Sequence, residues 1–207
     1  MIGKQIQKWV REKHVIIAAL LIWGVIVGLG WMMLSRYENA PGLAQVAPEH
    51  WPSVSQIPRT PGLPILVMFV HPHCPCSRAS MSELSLIMAH CQKKVRTVVI
   101  FVRPENFTEE WVKTDLWNSA LHIPGVEVMV DAQGKEAKIF YADVSGQTML
   151  YDAQGKLVFS GGITSSRGHE GDNDGKEAIV AFLTKGVILK KQTPFFGCLL
   201  FNKQKKS

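Results

Sequence analysis

The sequence predicts an α/β domain, a mixed sheet with helices on its faces, placed behind one N-terminal transmembrane helix. Three observations predict it. An apolar run without a single charge spans residues 15–34; short β-rich runs alternate with helical patterns from residue 65 onward; and a strand, a turn holding two thiols and a helix follow one another across residues 65–91.

The chain has 207 residues, 46% of them hydrophobic, and a formal net charge of +6. That suffices for one domain of ordinary size with extensions. Much of the positive excess collects at the ends, in Lys4, Lys8, Arg11 and Lys13 in front and Lys190, Lys191, Lys203, Lys205 and Lys206 behind. Charge placed there suits topology or solvation, and no nucleic-acid-binding motif accompanies it, so nucleic acid is not an expected partner.

The run over 15–34 reads VIIAALLIWGVIVGLGWMML. As a helix it covers about 30 Å, the thickness of a bilayer's hydrocarbon core. Trp31 falls near its far end, where an interfacial ring belongs. Basic residues precede the run, while Arg36 and Glu38 after it cancel. The positive-inside rule then makes 1–14 a cytoplasmic stub and 15–34 a single-pass inner-membrane anchor, with the remainder on the periplasmic side. The run is too long for a cleaved signal peptide, and Ser35-Arg36-Tyr37 is a poor cleavage site. Disulfides persist outside the cytoplasm. The four cysteines, Cys74, Cys76, Cys91 and Cys198, allow three full pairings, among which the sequence alone does not choose.

The elements follow in order. Six prolines between residues 35 and 64 predict an extended, loosely packed spacer over 35–62. The domain proper is expected over 63–190. ILVMFV at 65–70 reads as a strand buried on both faces. A helix begins near Ser77, with Met81, Leu84, Met88 and Cys91 on one apolar stripe, which marks Cys91 as a core thiol. A second strand is expected at 95–102, a helix capped by Thr108 at 108–119, and a third strand at 126–130. A further short helix fits before residues 148–151 and 156–159, which flank the turn Asp152-Ala153-Gln154-Gly155 as a hairpin. DAQGK occurs at both 131 and 152, and two turns of similar chemistry explain it better than a repeat. Residues 178–183 begin the last helix, and 191–207 form a tail whose phenylalanines and leucines predict partial packing on the domain.

The chemistry gathers at F-V-H-P-H-C-P-C-S-R-A-S-M-S-E-L, from Phe69. A thiol at a helix start meets unpaired N–H groups and the positive end of the helix dipole, both of which favour its thiolate. The stretch resembles the active site of membrane-anchored thioredoxin-like proteins of the TlpA/ResA type, F-W-A-x-W-C-x-x-C-R-x-E-x-P-x-L. Phe69, Cys74, Arg78 and Leu84 fall on matching positions, and the likeness continues through VMVDAQGKEAKIFY to MLYDAQGKLV. It covers roughly 63–162. The CPC variant with a later His-Gly cluster is also similar to proteins labelled RedB. The resemblance implies a thioredoxin fold and a thiol-disulfide oxidoreductase acting on extracytoplasmic thiol or disulfide proteins, with no cofactor beyond its own redox-active disulfide. It implies that Cys74 attacks, as the more exposed thiol, and that Cys76, at or inside the helix start, resolves.

Two departures stand out. Ser77, not a cysteine, occupies the family's resolving position, and Cys76 lies one residue early. A disulfide between cysteines two apart closes a small, stiff ring, which raises its reduction potential. The family's cis-proline position holds Gly146, with Gln147 beside it.

An alternative reading is a copper-binding protein. His71, His73, Cys74 and Cys76 lie within six residues, and such soft and borderline donors suit copper or zinc. Copper proteins of the same fold use a cysteine pair with a distant histidine, and His169, in the glycine-rich loop 161–175, is the candidate here. The DxNDG fragment of that loop lacks a calcium ligand series. His14, His50, His90 and His122 have no sequence partners. Cys198, in Phe195-Phe196-Gly197-Cys198, is either a third, resolving cysteine or a structural partner for Cys91. The third alternative is a thioredoxin-like scaffold without turnover.

Overall fold

The computed structural model describes residues 2–42 and 45–201, with side chains from residue 9 onward apart from that of residue 10. Lys203, Lys205 and Lys206 and the side chains of Lys4 and Lys8 lie outside the described residues. The chain divides into two units at Ala40. The first is helix α1, Ile2–Glu38, which extends beyond the apolar run at both ends. Its segment Arg11–Glu38 is long and apolar enough to cross a membrane, and its apolar side chains are exposed.

The second unit is built on five strands: β1 Ile65–Val70, β2 Arg96–Arg103, β3 Val126–Ala132, β4 Gln147–Tyr151 and β5 Leu157–Gly161. Their order across the sheet is β3-β2-β1-β4-β5. The first three run parallel, and β4 and β5 are antiparallel additions joined by a hairpin. Parallel neighbours need crossovers, which the helices supply. Helix α2 (Ser77–Cys91) links β1 to β2, and α3 (Glu109–Val112) with α4 (Asp115–Leu121) links β2 to β3. Helix α5 (Lys135–Ile139) precedes β4, and α6 (Asp174–Lys185) follows β5. This is the thioredoxin fold.

Strand β1 is central and buried along its whole length. Leu66, Met68 and Val70 join a core with Met81, Leu84, Met88 and Cys91 of α2 and with Ile179 of α6. Ile65, Val67 and Phe69 join the other core, with Ala137, Phe140 and Leu200. The unbroken apolar run thus has a simple cause: alternate side chains point to opposite faces, and both faces are covered.

Two expectations are corrected. The single helix over 108–119 is two short ones. Thr114 between them takes an extended backbone and caps α4, and its hydroxyl donates to the carbonyl of Pro72 at 3.0 Å. A tertiary hydrogen bond to the thiol turn therefore breaks the helix.

The loose spacer over 35–62 is the second. Residues 35–38 end α1, and Ala47 and Ile57 are buried. The Leu157 N–H donates to Glu49 O at 2.8 Å, and Trp51 N–H to Gly155 O at 2.7 Å. The Trp51 ring stands edge-on to Phe140 and Tyr151, with centroids 4.9 and 5.3 Å apart. The prolines keep the chain extended, but the residues between them still carry N–H groups and apolar side chains, which complete the second core.

Trp51→Ala should lower the unfolding free energy by about 3 kcal/mol, the low end for truncating a large aromatic because the ring is only partly buried. Urea denaturation of a chain starting at residue 41 measures it. A loose spacer would show no change.

Candidate active site

The thiol turn is built by local hydrogen bonds where β1 ends. The Cys74 N–H donates to His71 O at 3.0 Å, Ser77 N–H to Cys74 O at 3.2 Å and Arg78 N–H to Pro75 O at 3.3 Å, handing the chain into α2. Cys76 caps that helix, and Pro75 loses nothing by lacking an N–H there.

The relative exposure of the thiols is the reverse of the expectation. Cys74 is only 2% exposed, whereas Cys76 and Cys198 are partly open. The C-terminal segment lies across Cys74, with the Cys198 N–H 3.3 Å from its sulfur. All four cysteines are free thiols.

Five donors converge on the Cys74 sulfur, the Cys76 thiol among them. The Cys198 thiol, the Ser77 hydroxyl and the backbone N–H groups of Cys198 and Ser77 hold its pKa down to about 4, against burial, which pushes it up. The Ser77 hydroxyl lies 2.7 Å from that of Ser145, which also accepts the His71 N–H at 2.8 Å. One consistent order runs His71 N–H to Ser145, Ser145 O–H to Ser77 and Ser77 O–H to Cys74. Ser77 is here a donor to the Cys74 sulfur.

The neighbouring groups respond in the opposite sense. Its bond to Cys74, burial and the Cys74 and Cys76 charges drive the Cys198 thiol far upward, opposed by Arg167. Burial and the Cys74 charge raise Cys76, and Arg167 again opposes. Burial lowers the His71 imidazole, with the Cys74 charge opposing and His73 adding to the shift.

Cys198 is held by close backbone approach. The Ser145 N–H donates to Cys198 O at 2.8 Å and Leu200 N–H to Asp143 O at 2.9 Å. A Cβ on Gly197 would sit 1.9 Å from Ser145 O, and one on Gly162 would meet Pro194 O at 2.7 Å. Gly161 and Gly162, at the start of the glycine-rich loop, let the tail pass against it. Phe196 and Leu200 are buried on either side of Cys198. This placement corrects the pairing of Cys198 with Cys91, which faces the core from the C-terminal end of α2.

From the glycine loop it is Arg167, not His169, that interacts with the thiols. Its guanidinium donates to Gly197 O at 2.7 Å and interacts with Cys76 and Cys198. His169 is exposed, its Nδ1 3.1 Å from Arg167 O. His73 Nε2 lies 3.0 Å from Trp111 O, and His71 Nδ1 accepts the His73 N–H at 3.2 Å. Among the described residues, no group of three or more His, Cys, Asp and Glu side chains is set to hold a metal ion. The loop is anchored through buried Glu83, which receives the Gly171 N–H and the Asn173 amide and pairs with Lys176 at 2.8 Å.

Gly146, which the resemblance aligns with a cis-proline, has φ +88°, and its N–H donates to Phe69 O at 2.8 Å, a bond no proline could make. Gln147 is buried and accepts the Asp143 N–H at 3.2 Å. A cleft of about 170 Å³ opens beside Cys74, lined by Pro72, His73, Pro75, Arg78, Thr114 and Asp115. Arg78 and Asp115 form an ion pair, and Trp111 stacks between His73 and Phe107.

Sequence reasoning missed Arg167, Ser145 and Glu83 as contributors. Only Glu83 left a signal: a carboxylate among the apolar positions of α2 needs a buried partner.

No family model and no curated protein matches the chain. Among solved structures it is similar to an uncharacterized conserved protein of Geobacillus kaustophilus, with a TM-score of 0.56, 22% identity, and coverage of 82% of this chain and 96% of that one. It is also similar to a hypothetical protein of Sinorhizobium meliloti 1021, with a TM-score of 0.54, 22% identity, and coverage of 67% and 79%. A secreted Mycobacterium tuberculosis disulfide oxidoreductase superposes with a TM-score of 0.39 at 22% identity over 47% of this chain and 67% of that one, too loose a likeness to bear on function. At such identities the likeness concerns the fold.

The far-ultraviolet thiolate absorbance of Cys74 should persist as pH falls and disappear only near pH 4, whereas an ordinary thiol loses its anion near about 8.5. The donors favour the anion, so Ser77→Ala and Cys198→Ser should each move that loss to higher pH. Glu83→Ala should cost about 3 kcal/mol in denaturant unfolding by stripping a largely buried lysine of its partner.

Proposed function

We propose that the chain is a membrane-anchored, extracytoplasmic thiol-disulfide oxidoreductase acting through the Cys74-Pro75-Cys76 turn. The convergence of these donors on the Cys74 sulfur, beside a cleft, carries this reading. A thiolate at neutral pH is the nucleophile that disulfide exchange requires. Cys74 attacks one sulfur of a substrate disulfide; the new bond forms as the substrate bond breaks, and the other sulfur leaves as a thiolate that takes a proton. A second protein thiol then displaces the first substrate sulfur. Two electrons pass from the protein dithiol to the substrate, and the reverse sequence oxidises a substrate dithiol. The cysteines supply the redox chemistry, with no further cofactor.

The basic residues ahead of the apolar run support an inner-membrane anchor with the domain on the periplasmic side. The substrates are then thiol or disulfide proteins outside the cytoplasm. The aromatic stack of His73, Trp111 and Phe107 beside the cleft suits an extended peptide segment.

Oxidised glutathione added to the full-length protein in detergent should form a mixed disulfide that Cys74→Ser abolishes. A reporter active only outside the cytoplasm, fused after Ser207, should be active. Failure of the wild type to form any mixed disulfide, together with tight copper binding, would replace this reading by the copper one through His71, His73, Cys74, Cys76 and His169.

A further inference from the structure

We infer that Cys198, rather than Cys76, resolves the mixed disulfide on Cys74, closing a Cys74–Cys198 bond that pins the C-terminal segment over the site. The inference rests on Cys74 being the attacking thiol.

Geometry supports it first. The Cys198 N–H lies 3.3 Å from the Cys74 sulfur, and the Cys198 thiol donates to the same sulfur. The two residues are 124 apart in the chain, so their bond is free of the small-ring strain that a bond between Cys74 and Cys76 carries through Pro75. The Cys76 thiol also hydrogen-bonds the Cys74 sulfur, so ring strain and the cradle around Cys198, not proximity alone, separate the two candidates.

The cradle is the second, independent observation. Gly197 lies so close to Ser145 that any side chain there would collide with the carbonyl. Hydrogen bonds from Ser145 to Cys198 and from Leu200 to Asp143 hold the residue from both sides, and Arg167 grips the Gly197 carbonyl. An exposed tail cysteine with no chemical task would need none of this.

Electrostatics gives the order of events. In the reduced site the Cys74 anion keeps the Cys198 proton in place. Once Cys74 is bonded to a substrate sulfur, that anion is gone. Cys198 loses its acceptor and faces an electrophilic sulfur, with Arg167 alongside to favour its own anion. The Cys198 sulfur attacks the Cys74 sulfur, the substrate sulfur leaves, and the Cys198 proton goes to one of the two released thiolates. The external disulfide has gained two electrons, and the protein holds one new disulfide. The donor that stabilises the nucleophile thus becomes the resolver when the nucleophile is consumed.

The test is a single turnover of the full-length protein with oxidised glutathione, followed by non-reducing peptide mapping. Wild type should yield the Cys74–Cys198 linked peptide and release both glutathiones. Cys198→Ser should lose that product and accumulate glutathione on Cys74, and Cys76→Ser should still form the linked peptide. A Cys74–Cys76 peptide from wild type, or glutathione released from Cys198→Ser as fast as from wild type, overturns the inference while leaving Cys74 as attacker. Equal glutathione uptake by Cys74→Ser overturns the oxidoreductase reading and the inference with it. Mapping the wild type needs no substitution, so a variant that fails to fold does not decide the outcome.

Discussion

A sulfur anion removed almost entirely from water persists only where protein donors replace the water it has lost. Cys74 meets that condition with donors from two distant segments. Its own turn and the start of α2 supply the Ser77 hydroxyl and N–H, and the C-terminal segment supplies the thiol and N–H of Cys198. Behind Ser77 stands Ser145, from the stretch that leads into β4. Removing any of these pieces leaves either an underserved anion or an uncapped pocket. The turn, the tail and the stretch before β4 together meet this requirement.

The tail explains features that otherwise look unrelated. Glycines at 162 and 197 exist where two backbones approach too closely for a Cβ. Phe196 and Leu200 anchor the segment in the domain, and the Ser145 N–H is satisfied by Cys198 O. Glu83 is buried to hold the loop that delivers Arg167. Together these contacts leave Cys76 and Cys198 more open than the most acidic thiol of the site. Cys74 borders the cleft beside Thr114 and Asp115, where Thr114 bonds the Pro72 carbonyl.

Much was legible in the sequence because it depends on local periodicity. The two-sided burial of β1, the α2 stripe with Cys91 in it, the hairpin around Asp152 and the apolar length of α1 all repeat patterns that neighbouring residues determine. The strand-turn-helix setting of Cys74 and Cys76 belongs to the same class, since the effect of a helix start on a thiol reaches only across adjacent residues. The proline-rich stretch misled for the opposite reason: proline density reports backbone extension, and whether an extended chain packs depends on what lies beside it. Trp51 found Phe140 and Tyr151 there.

The sequence by itself determined the α/β order, the apolar anchor segment and the pair of thiols at a helix start, because each is written in spacing along the chain. Only the tertiary structure decided which thiol is buried, that Cys198 meets Cys74 rather than Cys91, and that Arg167 rather than His169 reaches the site. Those choices rest on contacts between residues 30 to 124 apart. Hydrogen bonds act over about 3 Å, so which distant donors reach a sulfur is set only when the chain has folded.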